Sequence, residues 1–337
     1  TPLFTPPLDT EVGEERPTVQ LVDVKKTKDG YEFGFDKLDR WIDMCRRCGI
    51  KYFEMSHLFT QWGAEHAPKI VAEVDGEKKR IFGWETDADS EEYRDFLHRF
   101  AAALTAFIDR KGIRNFCRFH VSDEPSLEQY EVYKKRADLI AEIFPGFKVI
   151  DALSDIEFFD KGAVKYPIPS EDHVEDFVGK VDEFWTYYCC GQHNKNVPNR
   201  FFAMPSARNR ILGTLLYKYN ATGFLQWGYN YWYSQFSKHE IDPFTVTDAG
   251  KAFPSGDAFV VYPGEDGQPI NSLRFKVFYD GLQDLAAMRL LESLVGREKA
   301  LEIAIQDDEL TFQKYPHGSS YLLALRERVN KAIKENI

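Results

Sequence analysis

The sequence predicts an α/β protein folded as a closed (β/α) barrel, and three observations carry that reading. Strand-like and helix-like segments alternate along most of the 337 residues, the pattern of a parallel sheet covered by helices. No Gly-rich phosphate loop follows the first strand, as one would in an open doubly wound sheet. Polar and acidic residues stand where apolar strands end, which is where barrels carry their working groups.

Residues 1–16 are rich in Pro, Thr and Glu and read as an extended arm. A strand is expected at 19–24, turn chemistry at Lys28-Asp29-Gly30-Tyr31, and a hairpin return at Glu32-Phe33. Asp36 is placed to N-cap a helix that Gly49 stops. Residues 50–55 are the next strand. The stretch holding Trp62, Gly63, Pro68 and Trp84 reads as a long loop, and long loops usually have a function or cover something. Ser90 starts a helix to about Lys111 with Phe96, Phe100, Leu104 and Phe107 on one face. A strand over 115–121 runs into Ser122-Asp123-Glu124-Pro125, and a helix follows to Ile143. Further strands are expected at 147–152, 183–189, 200–204, 222–228 and 258–262. Helices are expected at 206–219, 273–295 and about 297–334. The domain reading is an arm over 1–16, a barrel over 17–295 and a helical extension over 296–337.

With 43% hydrophobic and 15% aromatic residues, the chain can bury one large core. A net charge of -11 argues against nucleic acid or an anionic membrane as partner. No apolar run approaches the roughly 20 residues of a membrane span, and no signal peptide opens the chain. Thr1 in place of Met suggests a processed or partial chain. Five cysteines leave at least one thiol unpaired within the chain. Cys45 and Cys48 lie on a helix face without a second pair at zinc spacing. His57, His66, His120, His173, His193 and His239 show no ligand spacing either. Neither a metal nor a cofactor is expected.

The strongest local signal is the strand ending in Asp123 and Glu124. Adjacent strand residues face opposite sides, but Pro125 keeps Glu124 out of helical geometry, so both carboxyls can turn to one mouth. Two close acids push their proton affinities apart, which suits one to stay ionised and the other to donate a proton. The plainer alternative is a pair of loop acids at a helix N-terminus. Three more segments, 183–191, 224–232 and 257–264, mix aromatic with polar side chains as a sugar site would. The sugar's ring face stacks on the former and its hydroxyls bond the latter. The candidate binding set is His57, His120, Trp185, Tyr187, Tyr188, Trp227, Tyr229, Asn230, Trp232, Asp257, Tyr262 and Arg274.

Four motifs in order carry a family resemblance. They are Ser122-Asp123-Glu124-Pro125, then Trp185-x-Tyr187-Tyr188-Cys189-Cys190. Next comes Gly223-Phe224-Leu225-x-Trp227-Gly228-x-Asn230-x-Trp232, and last Arg274…Asp280-Gly281-Leu282-Gln283-Asp284. Over about 18–295 the chain resembles glycoside hydrolase family 123 and the broader set sharing its catalytic domain, domain of unknown function 4091. The resemblance implies a (β/α)8 barrel and a retaining exo-β-N-acetylgalactosaminidase, assisted by the substrate's own 2-acetamido group. It implies Glu124 as general acid/base and Asp123 as the residue that orients and polarises the acetamido group. A tyrosine at 187 or 188 would bond the acetamido oxygen, and Trp227 and Trp232 would form the sugar platform. It also implies a glycan or glycoconjugate partner and a secreted or periplasmic setting. The chain departs from the family in lacking an N-terminal β-sandwich and in an incomplete or rearranged first strand. Lys276 also stands where relatives often have an acid. Two alternatives stay open. One is a glycosidase for another sugar that pairs Glu124 with Glu54, Asp151 or Asp257. The other is a non-catalytic carbohydrate-binding barrel.

Overall fold

The computed structural model describes residues 1–306 and 309–337. The chain divides into two compact units, one of Thr1–Pro167 with Phe236–Lys238, the other of Ile168–Gln235 with His239–Ile337.

In chain order the first unit carries β1 (Asp23–Thr27), β2 (Gly30–Gly34), α1 (Asp36–Arg47), β3 (Phe53–Glu54), β4 (Ile70–Val74) and β5 (Glu77–Phe82). There follow α2 (Glu91–Lys111), β6 (Cys117–Phe119), α3 (Tyr130–Ile143), β7 (Lys148–Ala152), α4 (Glu157–Asp160) and, at its boundary, β8 (Tyr166–Ile168). The turn expected at 28–31 joins β1 and β2, but the strand starts at Asp23 and not at Val19. Ahead of it, the Gln20 side chain imitates a strand residue, donating to Val71 O at 2.8 Å and accepting from Val71 N–H at 3.0 Å. The segment read as a long loop contains the β4–β5 hairpin, and β4 pairs parallel with β1. This sheet runs β2-β1-β4-β5. Phe96 and Phe100 of α2 are fully buried, and the Phe4 ring lies 4.7 Å from Phe100. Each such ring contributes about 1.5–3 kcal/mol of burial.

A second sheet runs β3-β6-β7-β8, with β3, β6 and β7 parallel. Its strands β6 and β7 are buried where they pass through the core, and among their apolar residues they carry Arg118 and Asp151. Cys117, Phe119 and Ile150 are all under 3% exposed.

The second unit carries α5 (Val174–Phe177), β9 (Trp185–Tyr187), α6 (Ala207–Arg210), α7 (Leu212–Lys218), β10 (Gly223–Leu225), β11 (Val261–Pro263) and β12 (Pro269–Asn271). Three helices close it, α8 (Leu273–Val295), α9 (Arg297–Ile305) and α10 (Ser319–Asn336). β9 and β10 pair parallel, β11 and β12 antiparallel. The α7–α8 crossing is so close that a Cβ on Gly213 would lie 1.8 Å from the Gly281 carbonyl oxygen. The fully buried Asp284 ties three helices together. It accepts from Arg210 of α6 at 2.7 and 3.1 Å and from Arg326 of α10 at 2.9 Å.

The expected closed (β/α)8 barrel is not formed by the described residues. They form a mixed α/β fold with separate sheets of four, four, two and two strands. Closure needs every strand bonded on both edges, and too few segments qualify. Residues 200–204 form no strand, and 227–232 and 257–260 meet through the single Asn230–Phe259 bridge. The first expected strand went into the mixed hairpin sheet instead.

Candidate active site

β6 ends at Phe119, and the chain sinks His120, Val121 and Ser122 before Asp123 emerges half-buried and Glu124 exposed. Ser122 anchors the turn by donating from Oγ to Thr60 O at 2.9 Å. Pro125 was expected to keep Glu124 out of helical geometry. The residue adopts φ of 42°, a left-handed conformation that costs a non-glycine residue about 1–3 kcal/mol. Its N–H donates to Ala152 O at 3.1 Å. That turn breaks the strand alternation which would send the two carboxyls to opposite faces. Removal from water, and then the neighbouring Glu124 charge, push the Asp123 carboxyl up to about 7, against the pull of His120.

His120 sits beneath, 3% exposed. Its Nδ1 donates to Asp151 Oδ1 at 3.0 Å, and its Nε2 lies 2.7 Å from Glu54 Oε1. Burial disfavours its charge, but Glu54 and the Asp151 hydrogen bond outweigh that and raise it to about 10. Asp151, fully buried, also accepts from the Val121 N–H and from the Tyr133 hydroxyl of α3. His57 packs its ring against His120 with centroids 4.3 Å apart. Desolvation, then the His120 charge, keep it well below its ordinary value and hence neutral. Donor atoms of His57, His120 and Asp151 lie within 4.8 Å of one another. His120 and Asp151 are hydrogen-bonded to each other, and His57 packs on His120. His57 and His120, read as sugar contacts, are both sunk beneath the acids. Tyr133 was missed because an apolar-period helix gives no sign that one of its rings reaches a buried acid.

The second unit gathers the aromatic segments. Trp227, 39% exposed, donates from Nε1 to Asp257 Oδ2 at 3.0 Å. Asp257 is fully buried, and burial pushes it up to about 6 against Arg200 and Trp227. Trp232 donates to Val261 O at 3.0 Å, and Tyr229 and Asn230 are exposed. Trp185 lies flat on β10, since a Cβ on Gly223 would stand 2.1 Å from its ring. Tyr187 and Tyr188 are buried, and the Tyr188 ring meets Phe224 edge-on at 5.0 Å. Arg274 spends its guanidinium on the carbonyls of Gly256 and Phe259, and bonds the half-buried Tyr262. Arg200, which sequence reasoning passed over, bonds Gln226 Oε1 at 2.6 Å and Asp257 O at 2.9 Å. It therefore ties together the segments of Gln226 and Asp257. Glu171, also passed over, is 1% exposed, and burial raises its carboxyl well above the ordinary value.

No helix among the described residues is long and apolar enough to cross a membrane. No curated protein matches the chain. A solved structure of a family 123 glycoside hydrolase from Clostridium perfringens, from work on glycolipid glycan hydrolysis, is similar at 17% identity with a TM-score of 0.65. The likeness covers 97% of this chain and 59% of that one, so the chain spans about three fifths of that relative's length. At that identity the likeness speaks for the fold alone. The family model of the glycoside hydrolase 123 catalytic domain, however, matches residues 1–291. With most of the chain matched, including the Asp123-Glu124 turn and the aromatic segments, the chain belongs to the glycoside hydrolase 123 catalytic domain family.

Proposed function

We propose that this protein is a retaining glycosidase for terminal β-linked N-acetylhexosamine, N-acetylgalactosamine first, on a glycan or glycoconjugate. The observation that carries the reading is the geometry of the pair at the end of β6: a half-buried Asp123 beside an exposed Glu124 whose left-handed turn breaks the strand alternation. The 2-acetamido oxygen of the sugar attacks the anomeric carbon while Glu124 donates its proton to the departing glycosidic oxygen. The Glu124 carboxylate then takes a proton from the water that opens the cyclic intermediate. Asp123, as the anion, accepts the acetamido N–H and balances the positive charge that develops. Trp227 and Trp232 are assigned to the sugar face, with Tyr229 and Asn230 toward its hydroxyls and the buried Asp257 holding the Trp227 indole. Tyr187 and Tyr188 are the two candidates for the acetamido oxygen.

The second reading, a different sugar with a separate carboxylate nucleophile, is favoured only by Glu54. Its side chain is 42% exposed, whereas Asp151 and Asp257 are fully buried. Aryl β-glycosides of N-acetylgalactosamine, N-acetylglucosamine, galactose and glucose decide between the two. Cleavage confined to the N-acetyl sugars, with retained configuration and inhibition by an N-acetyl thiazoline, is the expected result. Equal cleavage of galactosides or glucosides would sink substrate assistance.

A further inference from the structure

Three strand ends of the first unit place a row of charge under the candidate acids. Glu54 ends β3, His120 follows β6 and Asp151 lies on β7, in neighbouring strands. The contacts are 2.7 Å from Glu54 to Nε2 and 3.0 Å from Asp151 to Nδ1. Each imidazole nitrogen therefore faces a carboxylate, and a neutral ring would turn a lone pair toward one of them. His120 precedes Asp123 by only three residues, in a turn fixed by Ser122 and by the Glu124 N–H.

We propose that His120, clamped between Glu54 and Asp151, is a positioning residue whose positive charge holds down the proton affinity of the neighbouring Asp123. The value of the Asp123 anion to catalysis rests on the reading above. The charge itself does not.

The groups facing this row are few. Asp123 is under the fields of Glu124, His120, Asp151 and Glu54. His120 is faced by Glu54, Asp151 and the neutral His57, with Tyr133 of α3 behind Asp151 and the Thr1 amino group on the carbonyl of Glu54. Of these, His120 is the cation that acts on Asp123, and the Thr1 amino group acts on Glu54. Without His120, burial and three negative neighbours would raise the proton affinity of Asp123 further, leaving less of the anion that balances a cationic intermediate.

The test is the titration of the Asp123 carboxyl carbon by carbon-13 NMR in the full chain, assigned by its loss in Asp123→Asn. In His120→Gln the midpoint should move up by about one pH unit, the lower end for loss of a close opposite charge. In Glu54→Gln it should move down, because a negative neighbour is gone while Asp151 still holds His120 charged. The double variant should fall between. Glu54 is half-exposed, so its replacement keeps the test open if His120→Gln fails to fold. An unmoved midpoint in His120→Gln, or a rise in Glu54→Gln, overturns the proposal. For the active enzyme, the acid limb of kcat should follow the same shifts, about tenfold in rate per unit below the midpoint, with little change in KM. Shifted midpoints in a protein that cleaves no glycoside would leave this inference standing and remove the catalytic reading.

Discussion

Tyr133 and His120 bond the same buried carboxylate, that of Asp151. Tyr133 belongs to the helix that follows the candidate acids and His120 to the strand end that precedes them. One side chain on β7 thus holds both ends of the 121–129 turn. The β7 backbone adds a third tie through Ala152 O and the Glu124 N–H. Such fixing is what a left-handed Glu124 needs, because strain persists only where the surroundings over-determine it.

Glu124→Gln keeps the shape of the side chain and removes its proton. General acid catalysis is worth roughly 10²–10⁴-fold, so kcat/KM on an alkyl glycoside should fall by about that factor. A nitrophenyl glycoside needs little protonation and should be largely spared. Equal, mild losses on both substrates would show that Glu124 is not the acid.

Asp123→Asn still bonds an amide but cannot balance charge. The loss should fall on kcat more than on KM, and it should persist with good leaving groups. Along a series from acetamido to trifluoroacetamido substrates the wild type should slow steeply. A flat series would speak for an enzyme nucleophile instead.

The same replacement has a stability signature. The folded protein holds Asp123 up to about 7, against an ordinary value of 3.8. A raised carboxyl contributes stability that is fully present below the ordinary value and lost as pH rises through the folded one. Asn escapes that loss. The Tm of Asp123→Asn relative to wild type should therefore climb between pH 4 and pH 7.5. A difference that is constant with pH would mean that the carboxyl is well solvated.

Gly223→Ala tests the second unit apart from any chemistry. Its new methyl would stand 2.1 Å from the Trp185 ring, which sits opposite it on the paired strand β9. Overpacking of this kind costs about 1–3 kcal/mol, readable as a lowered urea midpoint. Trp185→Leu in the Gly223→Ala background should recover part of it. No recovery would show that the two residues do not press on each other.

The sequence by itself determined the locally coded parts. The 3.6-residue rhythm of Phe96, Phe100, Leu104 and Phe107 specified α2, and the apolar run ending in Asp123-Glu124-Pro125 specified a strand that stops at the turn of the candidate acids. Four motifs in order were enough for the family, because order and spacing survive in one dimension. Tertiary structure alone decided which strands pair, since hydrogen bonding between β1 and β4 joins residues nearly fifty apart and leaves no local trace. For that reason the barrel was expected and separate sheets were found. It also decided what His120 is. A histidine in a strand reads the same whether it meets a sugar or two carboxylates. Its charge is settled by burial and by Glu54 and Asp151, side chains that only the fold brings to it.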